Sequence, residues 1–147
     1  MLELPDALYE QIKTLCEQGD ILAEEEQYAE ALDSYWAALD LLPEPKEQWE
    51  AATWILGSIG DADYLSGDFE AGKDNLAGAI TCPDGLGNPF LHLRLGECEF
   101  ELNHLDQAAE ELTRAYRAAG AEIFEEEDPK YFAFLKTRLE EPADGWE

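Results

Sequence analysis

A pattern of small and bulky residues recurs three times at fixed spacing, and it constrains the fold more than any other feature of the sequence. Each copy has a glycine and, twelve positions later, a second small residue. A bulky residue stands three positions before that second small residue, another stands four positions after it, and an alanine stands seven positions after it. In this order, the copies are Gly19, Ala31, Tyr28, Tyr35 and Ala38; Gly60, Gly72, Phe69, Leu76 and Ala79; and Gly96, Ala108, Leu105, Leu112 and Ala115. Small residues at fixed offsets let two helices approach closely, so the pattern predicts three copies of one helical hairpin.

Apolar periodicity and breaking residues give the approximate bounds of these elements. Apolar positions three and four apart from Tyr28 to Leu42 predict a helix, and Pro43 ends it because proline lacks an N–H donor. We predict a single all-α domain over residues 1–141, with hairpins at about 4–43, 46–82 and 89–120. Asp128 as N-cap and Pro129 at the first helical position predict a capping helix at about 128–140, before a frayed tail at 142–147.

The second hairpin contains the clearest local signals and one open question. A helix is predicted from about Lys46 to Ser66, Gly67 supplies its turn, and Asp68 is a plausible N-cap for the next helix. That next helix contains Gly72 and Gly78, each of which lowers helix stability by about 1 kcal/mol relative to alanine. Either close packing requires these glycines, or this helix is a weak point.

The turn segments resemble those of the tetratricopeptide repeat (TPR) family, in which a helix–turn–helix repeats every 34 residues. Residues 26–31 (EQYAEA) and 67–72 (GDFEAG) match the family's turn well, and residues 103–108 (NHLDQA) match it more loosely. The resemblance covers roughly residues 12 to 122. It implies an all-α, right-handed α-solenoid of about three TPR-like hairpins plus a C-terminal capping helix. The spacing of the second small residues, 41 and then 36, departs from the family and predicts irregular stacking.

Charge is the most unusual feature of the composition. The 35 acidic and 9 basic residues give a net charge of −26. Such a surface repels phosphate backbones and anionic membranes, whereas it attracts a basic protein partner. We expect a cytoplasmic protein, since residues 1–6 (MLELPD) do not resemble a signal peptide and Cys16, Cys82 and Cys98 suggest buried thiols in a reducing compartment.

The residues that most often carry chemistry form no recognisable catalytic or metal-binding motif. His92 and His104 have no partner at metal-ligand spacing, and we interpret them as a helix-face and a turn residue. Residues 61–63 (DAD) begin like a calcium loop, but the positions that follow lack the required glycine and glutamate. We therefore predict no cofactor, no metal and no enzymatic activity.

The resemblance implies a binding surface instead, because the first helix of each TPR hairpin lines a concave groove that holds partner segments. By register, that groove would present Lys13, Ser58 and Phe90 beside the predicted partner-binding residues. These predicted residues are Glu17, Asp20, Glu24, Trp54, Asp61, Tyr64, Arg94, Glu97, Phe100 and Glu101. Asp20, Asp61 and Glu97 would form an acidic ladder, and the aromatic residues would act as interface hot spots. Alternatively, the acids are a solvated face and the aromatics belong to the core.

One function of the TPR family is disfavoured by the residues at the corresponding positions. TPR co-chaperones hold the acidic C-terminus of heat-shock chaperones with a clamp of lysine, asparagine and arginine. The positions here read Cys16, Asp20, Ser58, Phe90 and Arg94, so only the arginine matches.

Three hypotheses follow. The first is capture of a basic partner, with bacterial immunity proteins that neutralise a cognate toxin as the nearest analogy. The second is a scaffold or assembly chaperone that binds peptide segments of a larger complex. The third is an enzyme whose groups converge only in space.

Overall fold

The computed structural model describes residues 3–143 and 145–146, and within these residues the regular structure is entirely helical. Two short 3₁₀ helices, at Lys46–Gln48 and Ala121–Phe124, lie between the α-helices. The α-helices, in chain order, are α1 (Asp6–Glu24), α2 (Tyr28–Asp40), α3 (Glu50–Ser66), α4 (Phe69–Ile80), α5 (Pro89–Glu101), α6 (Leu105–Ala119) and α7 (Pro129–Lys136).

Helices α1 to α6 form three consecutive hairpins that stack side by side. Each helix packs against the next one along the chain, and α3 also packs directly on α5. The first helices of the hairpins (α1, α3 and α5) therefore form one layer, and the second helices (α2, α4 and α6) form the other. The first layer carries the residues of the predicted groove.

The three repeat glycines lie where the two helices of each hairpin come closest. A Cβ atom added to Gly19 would lie 2.6 Å from a ring carbon of Tyr35, and one added to Gly60 would lie 2.4 Å from Leu76 Cγ. At Gly96 the corresponding distance, to Leu112 Cδ2, would be 2.8 Å. The same bulky position of the repeat thus fills the space above each glycine. The predicted register is confirmed by these contacts.

The structure answers the question about the glycines of α4 separately for each one. A Cβ atom on Gly72 would lie 2.9 Å from Cys98 Sγ, so close packing against α5 requires a glycine there. A Cβ atom on Gly78 would have Leu56 Cδ1, at 3.9 Å, as its nearest neighbour, so this site has room for a methyl group. Gly78 therefore weakens α4 with no packing benefit in return.

The three hairpin turns share one backbone conformation at one repeat position. Glu26, Gly67 and Asn103 each stand five residues before the second small residue, and their φ angles are 61°, 90° and 65°. The left-handed conformation is tolerated by glycine and asparagine more easily than by glutamate. After the second turn, Asp68 caps α4 by accepting from the Ala71 N–H at 3.2 Å, as predicted.

The start of the second hairpin and the end of the chain differ from the sequence-based bounds. Helix α3 begins at Glu50 instead of about Lys46, because Trp49 is extended and its indole donates to the Pro43 carbonyl at 2.8 Å. In the segment predicted to fray, residues 144 and 147 lie outside the described residues, whereas Trp146 packs edge-on against Phe132 with ring centroids 5.8 Å apart.

The prediction that the three cysteines are buried thiols is confirmed. Cys16, Cys82 and Cys98 are free and buried, and burial raises the pKa of Cys16 and of Cys98 to about 12. Among the described residues, no helix combines the length and apolar character needed to cross a membrane.

The two kinds of glycine predict opposite effects of the same substitution. Gly60→Ala should lower the free energy of unfolding by about 1–3 kcal/mol, because the new methyl group overlaps Leu76. Gly78→Ala should raise the free energy of unfolding by about 0.5–1 kcal/mol, because alanine is the better helix former and the site is open. Urea unfolding followed by circular dichroism at constant pH measures both; equal effects of the two substitutions would contradict this account.

Candidate protein-binding groove

The layer formed by α1, α3 and α5 carries the predicted groove, and the chain itself covers one end of it. We call residues 121–136 the C-terminal segment. This segment contacts α3 at Tyr64 and contacts α5 at Arg94 and Glu101. The part of the groove that this segment covers, the closed half, contains Tyr64, Arg94, Glu97, Phe100 and Glu101. The remainder, the open half, contains Lys13, Glu17, Asp20, Glu24, Trp54, Ser58, Asp61 and Phe90.

Tyr131 of α7 holds the closed half together. Its side chain is buried, and its hydroxyl donates to Glu101 Oε2 at 2.7 Å while lying 2.8 Å from the Tyr64 hydroxyl. The Phe100 ring packs edge-on against Tyr131, with ring centroids 5.4 Å apart, and against Phe134 at 5.1 Å. One side chain of α7 therefore links α3 to α5 across the predicted groove.

Arg94 forms a second link between the same elements. Its Nε donates to Asp61 Oδ1 at 2.7 Å, and its Nη1 donates to Glu97 Oε1 at 2.6 Å and to Glu127 Oε1 at 2.5 Å. The guanidinium also lies 4.6 Å from the centroid of the Tyr64 ring. These bonds join α3 and α5 to the C-terminal segment, so Arg94 already has three carboxyl groups as partners.

Glu97 is fully buried between these groups, and its environment favours the protonated form. Among the described residues, none donates to Glu97 Oε2, although Oε1 accepts from Arg94. Burial, followed by a hydrogen bond with the Glu127 carboxyl group, raises the pKa of Glu97 to about 9, and Arg94 offsets only part of this. This environment therefore favours the neutral form of Glu97 over the ionised form.

In the structure, the three acids of the predicted ladder, Asp20, Asp61 and Glu97, lie in three different environments. Glu97 carries no exposed charge, and Asp61 is tied to Arg94, with burial as the main cause of its raised pKa. Only Asp20 is exposed, and it accepts from the Tyr35 hydroxyl at 2.6 Å. The difference arises because α7 packs over the third hairpin, and a repeat register alone does not specify what packs there.

The open half presents three aromatic side chains at its surface. Tyr9, Trp54 and Phe90 are 43%, 38% and 40% exposed, respectively. Trp54 lines two neighbouring cavities of about 330 and 350 Å³, and Glu50 lines both as well. The first cavity reaches Tyr9 on α1 and the second reaches Phe90 on α5, so the two cavities, which share Trp54 and Glu50, together reach all three hairpins.

Sequence reasoning missed several groove residues, among them Tyr9, Glu50 and Asp84. Tyr9 precedes the region in which the repeat register holds, and Asp84 lies in the loop between α4 and α5. Glu50 could have been predicted from the sequence, because it stands four residues before Trp54 and helical residues at that spacing share a face. The acidic loop residue could be placed only by the tertiary structure.

Comparison with known proteins gives a fold and no close relative. No protein-family model matches the chain, and no curated protein matches it in sequence. The first TPR domain of Spaghetti (RPAP3), solved with the HSP90 peptide SRMEEVD, matches with a TM-score of 0.68 and 16% identity over 87% of this chain and 90% of that one. The Yersinia enterocolitica type III secretion chaperone SycD, in complex with a peptide of the translocator YopD, matches with a TM-score of 0.69 and 14% identity over 87% of this chain and 92% of that one. The chain has the TPR fold.

The TPR fold confirms the predicted α-solenoid of helical hairpins. A third structural neighbour, the Sgt2 TPR domain of Aspergillus fumigatus, has a TM-score of 0.65 and 20% identity over 86% of this chain and 75% of that one. The fold assigns α1, α3 and α5 to the concave layer, where the predicted partner-binding residues stand. As partner contacts, those residues stay predictions.

Both histidines contact other residues of the fold. His92 is buried on α5, where its Nε2 accepts from the Gly87 N–H at 2.9 Å and its Nδ1 lies 3.2 Å from Glu111. His104 precedes α6 and lies 2.8 Å from Glu99. Within residues 3–143 and 145–146, no group of three or more His, Cys, Asp or Glu is arranged to hold a metal ion.

The buried acid of the closed half predicts a pH dependence of stability. With an ordinary pKa of 4.5 in the unfolded chain and about 9 in the folded one, Glu97 keeps its proton longer when folded. The folded state then binds more protons between these values, so its free energy of unfolding falls as pH rises through this window. Glu97→Gln should reduce that fall, because the amide stays neutral, accepts from Arg94 and donates to Glu127.

Urea unfolding at several pH values from about 5 to about 8.5 measures this difference. The exposed neighbour variant Glu126→Gln serves as the control for removing one carboxylate. An unchanged pH slope in Glu97→Gln, relative to the unsubstituted protein and this control, would show that Glu97 is ionised in the folded state.

Proposed function

We propose that this protein is a non-enzymatic, protein-binding TPR module whose open half captures a basic segment of a partner protein. The observation that carries this proposal is the combination of exposed aromatic side chains and carboxylates along one groove. Tyr9, Trp54 and Phe90 alternate there with acidic residues from α1 and the residues just before it, from α3, and from the loop before α5. These acidic residues are Glu3, Asp6, Glu50, Asp61 and Asp84.

The aromatic side chains would supply the affinity. Aromatic residues are enriched at the centres of protein interfaces, where a few of them contribute most of the binding energy. Trp54 is central to this groove because it lines both cavities. A segment lying across Trp54 could contact all three hairpins at once.

The charge would select the partner. With a net charge of −26, the protein attracts basic surfaces at long range, and this attraction weakens as salt screens it. The same charge opposes binding to nucleic acid or to anionic membranes. A basic protein segment is therefore the partner class that fits both the groove and the whole molecule.

A ligand such as the HSP90 peptide of the first structural neighbour does not fit this groove. That peptide is acidic, and Arg94, the one matching residue of the co-chaperone clamp, is bonded to three carboxyl groups. Cys16, at another clamp position, is buried. The likeness in fold thus does not extend to the chemistry of the groove.

The specific role that we propose is neutralisation of a cognate bacterial toxin, as an immunity protein. A small acidic binding module can cover the basic active site of a toxin that acts on nucleic acid. The alternative is a scaffold or assembly chaperone that binds peptide segments of a larger complex. The exposed aromatic residues and the similarity to SycD, solved with a translocator peptide, favour that alternative.

A charge-reversal experiment tests capture by the groove. Glu17→Lys/Glu24→Lys changes two exposed acids of α1 without touching the buried network around Arg94. We expect this variant to lose at least about tenfold in affinity for a basic partner, with a smaller loss at high salt, because electrostatic attraction is replaced by repulsion. Pull-down from source cells at low and moderate salt supplies the partner, and calorimetry with that purified partner gives the affinities.

The matched control is Glu30→Lys/Asp33→Lys, which reverses two exposed acids on α2, in the outer layer. Equal loss in both variants would indicate general charge attraction and would overturn the groove assignment. If the purified partner is toxic, suppression of its activity by the unsubstituted protein supports the immunity role. Salt-independent binding of a neutral partner that is lost in Trp54→Ala would support the scaffold instead.

A further inference from the structure

The cavity between Trp54 and Phe90 has a more specific composition than the groove as a whole. It measures about 350 Å³, and its aromatic residues come from the first two turns of α3 and the first turn of α5. Three carboxylates line it: Glu50 and Asp61 from α3, and Asp84 from the loop. None of its lining residues, all within the described part of the chain, is basic.

Asp61 links this cavity to the closed half. Its Oδ1 accepts from Arg94 Nε at 2.7 Å, which fixes the carboxylate, and its side chain is still 31% exposed. A carboxylate can accept on both oxygens, so Oδ2 remains able to bind a second donor. Asp61 is thus held by the fold through one oxygen and lines the cavity with a partly exposed side chain.

Arg94 demonstrates how this protein holds a cation. Its guanidinium is bonded to carboxylates, and it lies near the rings of Tyr64, at 4.6 Å, and Phe90, at 5.3 Å. Carboxylates together with aromatic faces are the groups that stabilise a desolvated cation in proteins. The neighbouring cavity offers the same two kinds of group, with Trp54 as the strongest cation–π partner among the aromatic residues.

We infer that the cavity between Trp54 and Phe90 binds one lysine or arginine side chain of the captured segment. This inference rests on the proposed function and deepens it by naming the type of side chain that the groove binds. The apolar stem of the side chain would pack between the two rings, and its charged end would meet Asp61, with Glu50 and Asp84 at the rim. A neutral aliphatic side chain of the same length would keep the packing but lose the electrostatic attraction.

Two capped heptapeptides test this directly. One has a single lysine among glycines and serines, and the other has norleucine in place of that lysine. We expect the lysine peptide to bind at least about tenfold more tightly, because only it gains the cation–π and carboxylate interactions. Two-dimensional ¹H–¹⁵N NMR locates the binding, with shifts expected at the Trp54 indole and at Gly57 and not at the Trp36 indole.

Substitutions at the rim separate this cavity from the surrounding charge. Glu50→Gln/Asp84→Asn should weaken lysine-peptide binding by at least about fivefold and leave norleucine-peptide binding unchanged. Glu30→Gln/Asp33→Asn, on α2, removes the same number of charges and should leave both unchanged. Equal affinity for the two peptides, shifts centred elsewhere, or no shift at the Trp54 indole up to millimolar peptide would each overturn the inference.

The outcomes distinguish this inference from the proposed function. A natural partner that depends on Glu17 and Glu24, together with no lysine selectivity at Trp54, would overturn the cavity assignment alone. Lysine selectivity at Trp54 together with a partner that binds outside the groove would overturn the proposed function and leave the cation site in place.

Discussion

The close approach of two helices at each repeat glycine is the contact on which the rest of the structure depends. Tyr35, Leu76 and Leu112 each occupy the space that a Cβ atom on the facing glycine would need. Because the same contact recurs three times, the hairpins have similar shapes and can stack in one direction. Stacking leaves α1, α3 and α5 side by side in the concave layer, and a groove follows from that geometry.

Arg94 and Tyr131 then decide how much of this groove is open. Both tie the C-terminal segment to α3 and α5, one through ion pairs and one through hydroxyl hydrogen bonds and ring contacts. The end of the groove that they cover is occupied by the chain itself. The other end, where the aromatic residues are exposed, is the part that we propose for partner binding.

The high acidity of the chain is therefore used in two different ways. In the closed half, carboxyl groups surround Arg94, and burial raises the pKa of Glu97. In the open half, carboxylates line cavities beside exposed aromatic rings, where we propose that they attract a cationic side chain of a partner. The difference is one of burial: the same side chain stabilises an internal contact when it is covered and attracts a ligand when it is exposed.

The sequence by itself determined the three hairpins, their turns and the TPR fold, because small and bulky residues at fixed offsets encode local contacts within each hairpin. It also indicated the concave layer, through the register of Trp54 and Phe90. Only the tertiary structure decided that Glu97 and Tyr64 lie beneath the C-terminal segment, and that Tyr9 and Asp84 border the open half. These placements depend on contacts between residues far apart in the chain, and repeat periodicity records only contacts within a repeat.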